Sequence, residues 1–452
     1  VIKHNLRNND ENLFPVILYF YELQYCFHAE VILQNMIRVF FSFLISCFIL
    51  LIISCGQTTE EGVASVVSSA NDAVNDTTGA VDNTLFGGTD SSLGSCDNQK
   101  VFVVGNAVTE KGCHPSCPES KAVIWSLCKD VTEVEGSYYA VDATSHNGSI
   151  YIADDGGYYL IVGAGNTSTK HTLNYSGYKL SEVTGIDVNS NGDVYVAGMV
   201  RQSNKDYTAY WKNGELVKAF RENADWYSEL HVAADSKGNV FIPGWRMKTH
   251  EVTYSALWIN GNRKNLTTSQ DGEATDAIIG SETDSGSNVW ISGAHGPYTR
   301  GGNLAAYWRR KPNGQAIQTK VTKVRTYNLP KNWVYSSRAS SIFVEGSTVY
   351  MAGVVNVINA GDVPVYWKGK VQHELPVEFN LNTCDYCRTE PKDITLLDGK
   401  VLVVGDYHDR NLFVDYTYTN GEDQAVYWLD KTLHKLCPGC GSSYAVAVVK
   451  MD

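Results

Sequence analysis

Long apolar stretches with the period of a helix are missing from the second half of this 452-residue chain, which excludes a largely helical domain there. Positive charge is also scarce, since 49 Asp and Glu outnumber 37 Lys and Arg to give a net charge of −12. An acidic chain is repelled by a phosphate backbone, so we expect no nucleic-acid partner. Tyr (27) and Gly (39) are abundant, which is typical of many short strands joined by turns.

The common catalytic motifs are lacking as well. The sequence contains no His-Glu-x-x-His zinc motif, no Gly-x-Ser-x-Gly elbow and no Walker loop. Its histidines, among them His114, His231, His295 and His408, are scattered, and a lone histidine is more often structural than a ligand. We therefore expect no cofactor and no metal, and we favour a binding role over an enzymatic one.

A pattern of two strands recurs along the chain, the first ending in glycine and the second in tryptophan. Val194–Gly198 followed by Ala209–Trp211 is one copy, and Val240–Gly244 followed by Ala256–Trp258 is another. Seven positions share the end of the first strand: Gly105, Asp154, Gly198, Gly244, Gly293, Gly353 and Gly405. Their spacing, 44 to 60 residues, predicts the blades of a β-propeller.

Six tryptophans share the second position of the repeat: Trp125, Trp211, Trp258, Trp308, Trp367 and Trp428. Blade two has Tyr158 and Tyr159 there instead. A residue that recurs at one strand position in six blades is best explained by packing between adjacent blades. Trp226 and Trp245 lie outside this position and near one face, so they are better candidates for contact with a ligand.

Turns and chain ends complete the architecture. Asn213-Gly214 is typical of a tight hairpin, and four strands per unit follow from such turns. The first unit starts at Lys100 without an inner strand, whereas Tyr444–Val449 is a lone strand near the other end of the sequence. We therefore predict an all-β fold: a seven-bladed β-propeller of four-stranded antiparallel blades, closed by pairing of the C-terminal strand with Val101–Val104.

The repeat resembles seven-bladed bacterial propellers, in particular the Val-Tyr-Val-x-Gly and Tyr-Trp-Lys-Asn-Gly repeats of lipoproteins of unknown function. The resemblance covers residues 100–452. It implies an architecture and says little about activity, because function lies in sites grafted on a fold.

The N-terminal region predicts export and anchoring. Residues 1–35 are interpreted as an upstream extension, and residues 36–54, with Arg38 before an apolar run, as a signal peptide. Ile52-Ile53-Ser54-Cys55-Gly56 resembles the lipobox of bacterial lipoproteins, which implies that Cys55 is acylated and anchors the protein in the cell envelope. Gly56 favours the outer membrane, and an uncleaved anchor is the alternative.

Residues 55–99 are predicted to form a disordered tether. From Gly56 to Gln99 there is no Lys or Arg and only one aromatic residue, Phe86, so too little apolar surface is available to offset the entropy of ordering. The propeller of residues 100–452, expected to be monomeric, would stand clear of the membrane on this tether.

Eight cysteines follow the anchor, and an even number in an exported chain suggests disulfides. They are Cys96, Cys113, Cys117, Cys128, Cys384, Cys387, Cys437 and Cys440. We expect Cys96 to pair with Cys128 across the blade where the ring closes. The two Cys-x-x-Cys pairs also fit a zinc site, so a metal stays the alternative for those four.

Two acidic or aromatic sets are candidate binding residues. The blade-seven loop carries Tyr407, His408, Asp409, Tyr416 and Tyr418. A second set precedes the inner strands and is expected to ring the mouth of the central channel: Glu182, Glu229, Glu273 and Glu390. Such a ring would attract cations or basic ligands.

Two functions remain open. The first is a membrane-anchored binding or scaffold module for a protein or a glycan. The second is a propeller hydrolase or lyase with carboxylates at the channel. A shallow aromatic face would favour binding, whereas two or three carboxylates and a histidine converging in a channel pocket would favour catalysis.

Overall fold

The computed structural model divides the chain into two units, Val1–Ser92 and Leu93–Asp452. Every described residue lies in the second unit. The described residues are 101–108, 120–127, 131–162, 168–220, 231–249, 252–267, 272–283, 285–296, 304–312, 314, 316–320, 334–357, 361–377, 388–408, 413–414, 417–418, 423–436 and 442–451. Cys55 and all eight predicted disulfide cysteines lie outside them. No helix in these ranges is long and apolar enough to cross a membrane.

The strands of the described residues form seven four-stranded antiparallel blades, as the repeat predicts. Blades 1 to 3 use β1 Val101–Ala107, β2 Lys121–Ser126, β3 Val131–Glu133, β4 Ala140–His146, β5 Ser149–Asp154, β6 Gly157–Val162, β7 Ser168–Thr172, β8 Lys179–Val188, β9 Val194–Gln202, β10 Lys205–Lys212 and β11 Glu215–Phe220. Blades 4 and 5 use β12 Ala233–Ala234, β13 Val240–Thr249, β14 Val252–Ile259, β15 Asn262–Asn265, β16 Gly272–Thr283, β17 Gly286–His295, β18 Leu304–Arg310 and β19 Ala316–Lys320. Blades 6 and 7 use β20 Val334–Glu345, β21 Thr348–Val357, β22 Gly361–Lys368, β23 Val371–Glu374, β24 Arg388–Leu397, β25 Lys400–His408, β28 Asp423–Leu429 and β29 Thr432–Lys435.

Three further strands complete the described part. β26 Phe413–Val414 and β27 Thr417–Tyr418 pair as a small hairpin inserted in blade 7. β30 Ser443–Lys450 is the inner strand of blade 1, where it pairs with β1. The register joins Phe102 to Val449 and Val104 to Ala447. The predicted closure is therefore confirmed, and it covers the edge of β1 that would otherwise be unpaired.

The hairpin turns follow from residues that tolerate a left-handed backbone. Asn213 and Gly214 both have positive φ, 51° and 85°, as a two-residue turn of type I′ requires. The Asn213 side chain also accepts a hydrogen bond from Val194 N–H at 2.8 Å, which fastens the turn to the start of β9. Ser203 and Asn204, with φ of 51° and 59°, make a similar turn between β9 and β10. The two strands therefore extend beyond the repeat segments Val194–Gly198 and Ala209–Trp211 into polar residues that the sequence pattern did not assign to a strand.

The repeated tryptophans are packing residues, as their recurrence predicts. Trp125, Trp211, Trp308, Trp367 and Trp428 are fully buried, and Trp258 is 4% exposed. Trp211 Nε1–H donates to Asn174 O of the preceding blade at 2.8 Å. In blade 2 the register places Tyr159 at this position, and its hydroxyl donates to Gly136 O of blade 1. A tyrosine thus performs the same tie between neighbouring blades.

Five glycines of the repeat, which we call the marker glycines, each lie opposite a β-bulge in the inner strand of their blade. Opposite Gly353 the register of β20 shifts between Ala339 and Ser341, so that Ser340 is an extra residue. Similar shifts occur opposite Gly105, Gly198, Gly293 and Gly405. The bulged backbone comes so close that the carbonyl oxygen of Arg338 occupies the place of a Cβ on Gly353. Glycine is therefore required at this position by close approach.

Candidate functional site

A cavity of about 510 Å³ lies on the propeller axis among the inner strands of all seven blades. This volume is in the range of small-molecule sites. We call it the axial cavity, and its ionisable lining residues are Asp142, Asp187, His231, Asp276, Glu282, Asp393 and Lys450.

Three aspartates of the axial cavity each join two neighbouring blades. Asp393 Oδ1 accepts a hydrogen bond from Ile394 N–H of its own strand at 2.7 Å, and its Oδ2 accepts one from Val448 N–H of blade 1 at 2.9 Å. The other two repeat this arrangement: Asp142 with Ala143 (2.8 Å) and Ile186 (3.0 Å), and Asp276 with Ala277 (2.7 Å) and Ile342 (3.0 Å). Three carboxylates thereby satisfy six backbone N–H groups in six blades.

The inner strands explain why acceptors are needed here. An inner strand has no further strand on the side of the channel, so the backbone groups on that edge have no partner in the sheet. Buried N–H groups are nearly always paired, so these need another acceptor. A carboxylate with two oxygens fits two such donors from adjacent blades at once. The carboxylates are consequently fixed in position by backbone, and the Ser341 hydroxyl lies within hydrogen-bond distance of Asp393 Oδ1 (2.7 Å) and Asp276 Oδ2 (3.1 Å) as well.

Blade 4 is the one blade that these three carboxylates do not serve. It carries His231 at the position that an aspartate holds in blades 2, 5 and 7. His231 Nδ1 lies 3.6 Å from Asp142 Oδ2 and 3.9 Å from Asp276 Oδ1. In blade 3 the cavity position is Gly185, and Asp187 lies two residues after it on the same strand. Asp187 Oδ2 accepts a hydrogen bond from Ala234 N–H of blade 4 at 2.8 Å. A histidine and four aspartates therefore converge on one cavity.

Burial raises the pKa values of these aspartates. The pKa of Asp187 rises from 3.8 to about 7, because burial and the negative charges of Asp142 and Asp276 outweigh the hydrogen bonds from Ala234 and Val188. Burial likewise raises the pKa of Asp393 to about 6, and it raises the pKa of Asp276 although His231 opposes the change. At neutral pH the cavity therefore holds carboxyl groups close to their titration range.

The raised pKa of Asp187 predicts a dependence of stability on pH. The folded protein keeps this proton to a higher pH than the unfolded chain, so the stabilisation is complete below about pH 4 and is lost as pH rises through about 7. With allowance for solvent in the cavity, we expect the free energy of unfolding of the wild type to fall by about 2 kcal/mol more than that of Asp187→Asn between pH 5 and pH 8. Urea unfolding at both pH values measures this difference, and equal slopes for the two proteins would contradict it.

The predicted glutamates form a separate ring outside the axial cavity. Glu182, Glu273 and Glu390 occupy one register position in blades 3, 5 and 7, with the carbonyl oxygen of each against a marker glycine. Glu273 lies 3.7 Å from Arg338 of blade 6, and Glu390 lies 2.8 Å from Lys392. None of the three lines the cavity. Glu229 lies outside the described residues.

The other predicted ligand residues do not come together in the described part of the chain. Trp245 is half-buried in β13, and Tyr407 is buried in β25, with Lys435 Nζ 5.9 Å from its ring. His408 is at the end of β25, where its backbone pairs with Asp423, and Tyr418 is in the blade-seven hairpin. Trp226, Asp409 and Tyr416 lie outside the described residues.

The sequence carried a signal for the cavity aspartates. Asp276 and Asp393 follow Glu273 and Glu390 by three residues, and Asp142 follows Tyr139, which holds the same register position, by three residues. Because each inner strand has one bulged residue, positions three apart lie on the same face of the strand. The bulge itself is not legible in the sequence, so this spacing is easily overlooked.

Among the described residues, no group of three or more His, Cys, Asp or Glu side chains is arranged to hold a metal ion. The cavity aspartates direct their oxygens to backbone N–H groups of different blades instead of to a common point. Their arrangement suits contact with an organic ligand distributed over the cavity.

Neither a protein-family model nor a curated protein sequence matches this chain. Among solved structures it is similar to a periplasmic gluconolactonase of Pseudomonas aeruginosa, with 11% identity, 78% of this chain and 98% of that one covered, and a TM-score of 0.41. It is also similar to a polysaccharide lyase, with 10% identity, 78% and 98% covered, and a TM-score of 0.35.

A puromycin-hydrolysing peptidase of Mycobacterium tuberculosis is a third similar structure, with 10% identity and a TM-score of 0.41. The match covers 70% of this chain and spans half the length of that peptidase. At these levels the similarities do not bear on activity, and the fold rests on the strand pairing of this chain itself.

Proposed function

We propose that this protein is a lipid-anchored extracytoplasmic binding module that holds a small cationic ligand in its axial cavity. One observation carries the proposal: the lining contains five carboxyl side chains but only one lysine and one histidine. Charge of one sign in a walled cavity focuses the field and concentrates ligands of the opposite sign. The lipobox-like Ile52–Gly56 segment supports the anchoring.

The form of the cavity favours binding over a purely structural role for the carboxylates. A charged ligand is held more strongly by groups that are already oriented and partly desolvated, since neither party then has to reorganise. The aspartates meet this condition because backbone N–H groups fix both oxygens of Asp142, Asp276 and Asp393. A small cation therefore fits this cavity better than the protein or glycan that the sequence suggested as a ligand.

Calorimetric titration of the full-length chain in detergent tests the proposal, with putrescine and arginine as cationic probes and glucose as the neutral one. We expect both cations to bind, and to bind roughly tenfold more tightly at pH 8 than at pH 5.5, because Asp187 and Asp393 lose their protons in that interval. Asp187→Asn should weaken binding and flatten its pH dependence.

The matched control is Asp206→Asn. Asp206 of β10 pairs with Arg201 of β9 at 2.7 Å, next to the turn between these strands and away from the cavity lining, so its replacement should leave binding unchanged. Binding of glucose as tight as that of the cations, or no binding of any probe, would refute the proposal.

A hydrolase or lyase is the second candidate, and one observation favours it. His231 lies between Asp142 and Asp276 at 3.6 and 3.9 Å, and Asp187 has a pKa near 7, as a general acid or base requires. Chemical conversion of a bound ligand that stops in His231→Gln, while binding persists, would identify this candidate as the function.

A further inference from the structure

One position recurs near the start of the inner strands, three residues before the position of the cavity aspartates. It is occupied by Tyr444, Tyr139, Glu182, Glu273, Arg338 and Glu390 in blades 1, 2, 3, 5, 6 and 7. We call this set the mouth ring. Because it precedes the axial cavity along the inner strands of these six blades, a ligand that enters from this side passes it first.

The two aromatic residues of the mouth ring are neighbours in adjacent blades. Tyr139 is 50% exposed, and together with Tyr138 it is one of two exposed aromatic residues among those whose side chains the structure describes. Tyr444 is half-buried, and its hydroxyl donates a hydrogen bond to Asp423 Oδ2. Burial and Asp423 raise the pKa of Tyr444. Asn106, which pairs with Tyr444 in the sheet of blade 1, accepts a hydrogen bond from Ala140 N–H at 2.6 Å and donates one to Ala140 O at 2.8 Å, so the residue next to Tyr139 lies beside the Tyr444 segment.

Carboxylates flank this aromatic pair on both sides. Around the ring, Glu390 of blade 7 precedes Tyr444 and Glu182 of blade 3 follows Tyr139, so the order is acidic, aromatic, aromatic, acidic. Glu182 is exposed, and Glu390 retains a Lys392 partner at 2.8 Å. Behind Tyr444 lies Asp423, which is buried. The one arginine of the mouth ring, Arg338, belongs to blade 6 and lies near Glu273.

Aromatic faces beside carboxylates are suited to one class of cation. A quaternary ammonium has no N–H to donate, is weakly hydrated, and gains from the ring quadrupole of tyrosine as well as from nearby negative charge. A primary ammonium would gain more from direct hydrogen bonds to carboxylates, and a neutral sugar would donate hydrogen bonds to the carboxylates but carries no charge for their field to attract. Charge therefore distinguishes the methylated ammonium from the sugar, and the aromatic faces distinguish it from the primary ammonium.

We propose that Tyr139 and Tyr444 form a recognition site for a quaternary ammonium headgroup at the mouth of the channel. The proposal rests on the proposed binding of cations and narrows it to a ligand class. The apolar methyl groups contact the phenol rings, while Glu182, Glu390 and the cavity beyond supply the negative field.

Calorimetric titration of the full-length chain in detergent with choline tests this site against two matched probes. The probe 3,3-dimethyl-1-butanol has the same shape without the charge, and ethanolamine has the charge without the methyl groups. We expect choline to bind at least roughly tenfold more tightly than either probe. Tyr139→Leu should weaken choline binding by roughly 3- to 30-fold, and Tyr139→Phe should retain it, because the ring and not the hydroxyl carries the attraction.

Tyr138→Leu is the control, since Tyr138 is as exposed as Tyr139 but lies outside the mouth ring. We expect it to change choline binding less than twofold, with thermal unfolding confirming that both variants fold. Equal binding of choline and its neutral isostere, or an unchanged affinity in Tyr139→Leu, would overturn the site. Ethanolamine bound as tightly as choline in a manner that depends on Asp187 and not on Tyr139 would leave the proposed function intact and refute only the headgroup.

Discussion

Replacing Gly353 with alanine should lower the free energy of unfolding by about 3 kcal/mol or more. The new Cβ would overlap the Arg338 carbonyl oxygen and would lie 2.8 Å from Ala339 Cα, and both atoms belong to the backbone of the neighbouring strand. A backbone atom cannot rotate away as a side chain can, so β20 would have to move off β21. That movement would also displace Ser341 and Ile342, which hold Asp276 in the axial cavity. Urea unfolding of the variant measures the loss.

Gly148→Ala separates this steric effect from the general effect of adding a Cβ to glycine. Gly148 has a positive φ of 69° in the turn between β4 and β5, and no atom lies within 4 Å of the place of its Cβ. Its replacement should cost about 1 kcal/mol, from backbone conformation alone. If Gly353→Ala cost no more than Gly148→Ala, the close approach at the bulge would not be the reason for the marker glycine.

The architecture could be predicted because its signals are local and repeated. Asn213-Gly214 specifies a hairpin by its own backbone preference, and the same turn chemistry in other blades sets the strand count. Tyr444–Val449 could be assigned to blade 1 because a unit without an inner strand and a strand without a unit are complementary. Each of these inferences needs only a few consecutive residues and their period.

The cavity could not be predicted in the same way, because its residues do not repeat. An aspartate at the cavity position occurs in three blades, whereas the others have glycine, histidine, serine or alanine there: Asp142, Gly185, His231, Asp276, Ser341, Asp393 and Ala447. Their role depends on pairs of adjacent blades sharing one carboxylate, which is a property of the closed ring. His231 looks like a lone histidine in the sequence, because only the closed ring brings Asp142 of blade 2 and Asp276 of blade 5 close to it.

Replacing Asp276 with alanine should lower the free energy of unfolding by about 3 kcal/mol, because it leaves two backbone N–H groups without an acceptor. These are Ala277 N–H, now 2.7 Å from Oδ1, and Ile342 N–H, now 3.0 Å from Oδ2. Asp276→Asn keeps one acceptor and should lose roughly half as much. Asp206→Ala, which removes an exposed partner of Arg201, is the control and should change stability by less than about 0.5 kcal/mol. Urea unfolding of the three variants at pH 7 gives the order.

The opposite order would be equally informative about function. Asp276 has a raised pKa because burial disfavours its charge, with Asp142 adding repulsion, so removing that charge also removes a cost. If Asp276→Asn were more stable than the wild type, the repulsion would exceed the value of the blade-to-blade hydrogen bonds. An aspartate kept at a net cost to stability is explained by a ligand that compensates the charge, and in that case added putrescine should stabilise the wild type more than the variant. If instead the hydrogen bonds dominate, Asp276 is primarily a fastening between blades 5 and 6, and Asp187, which serves one neighbouring N–H across the blades, becomes the better measure of ligand binding.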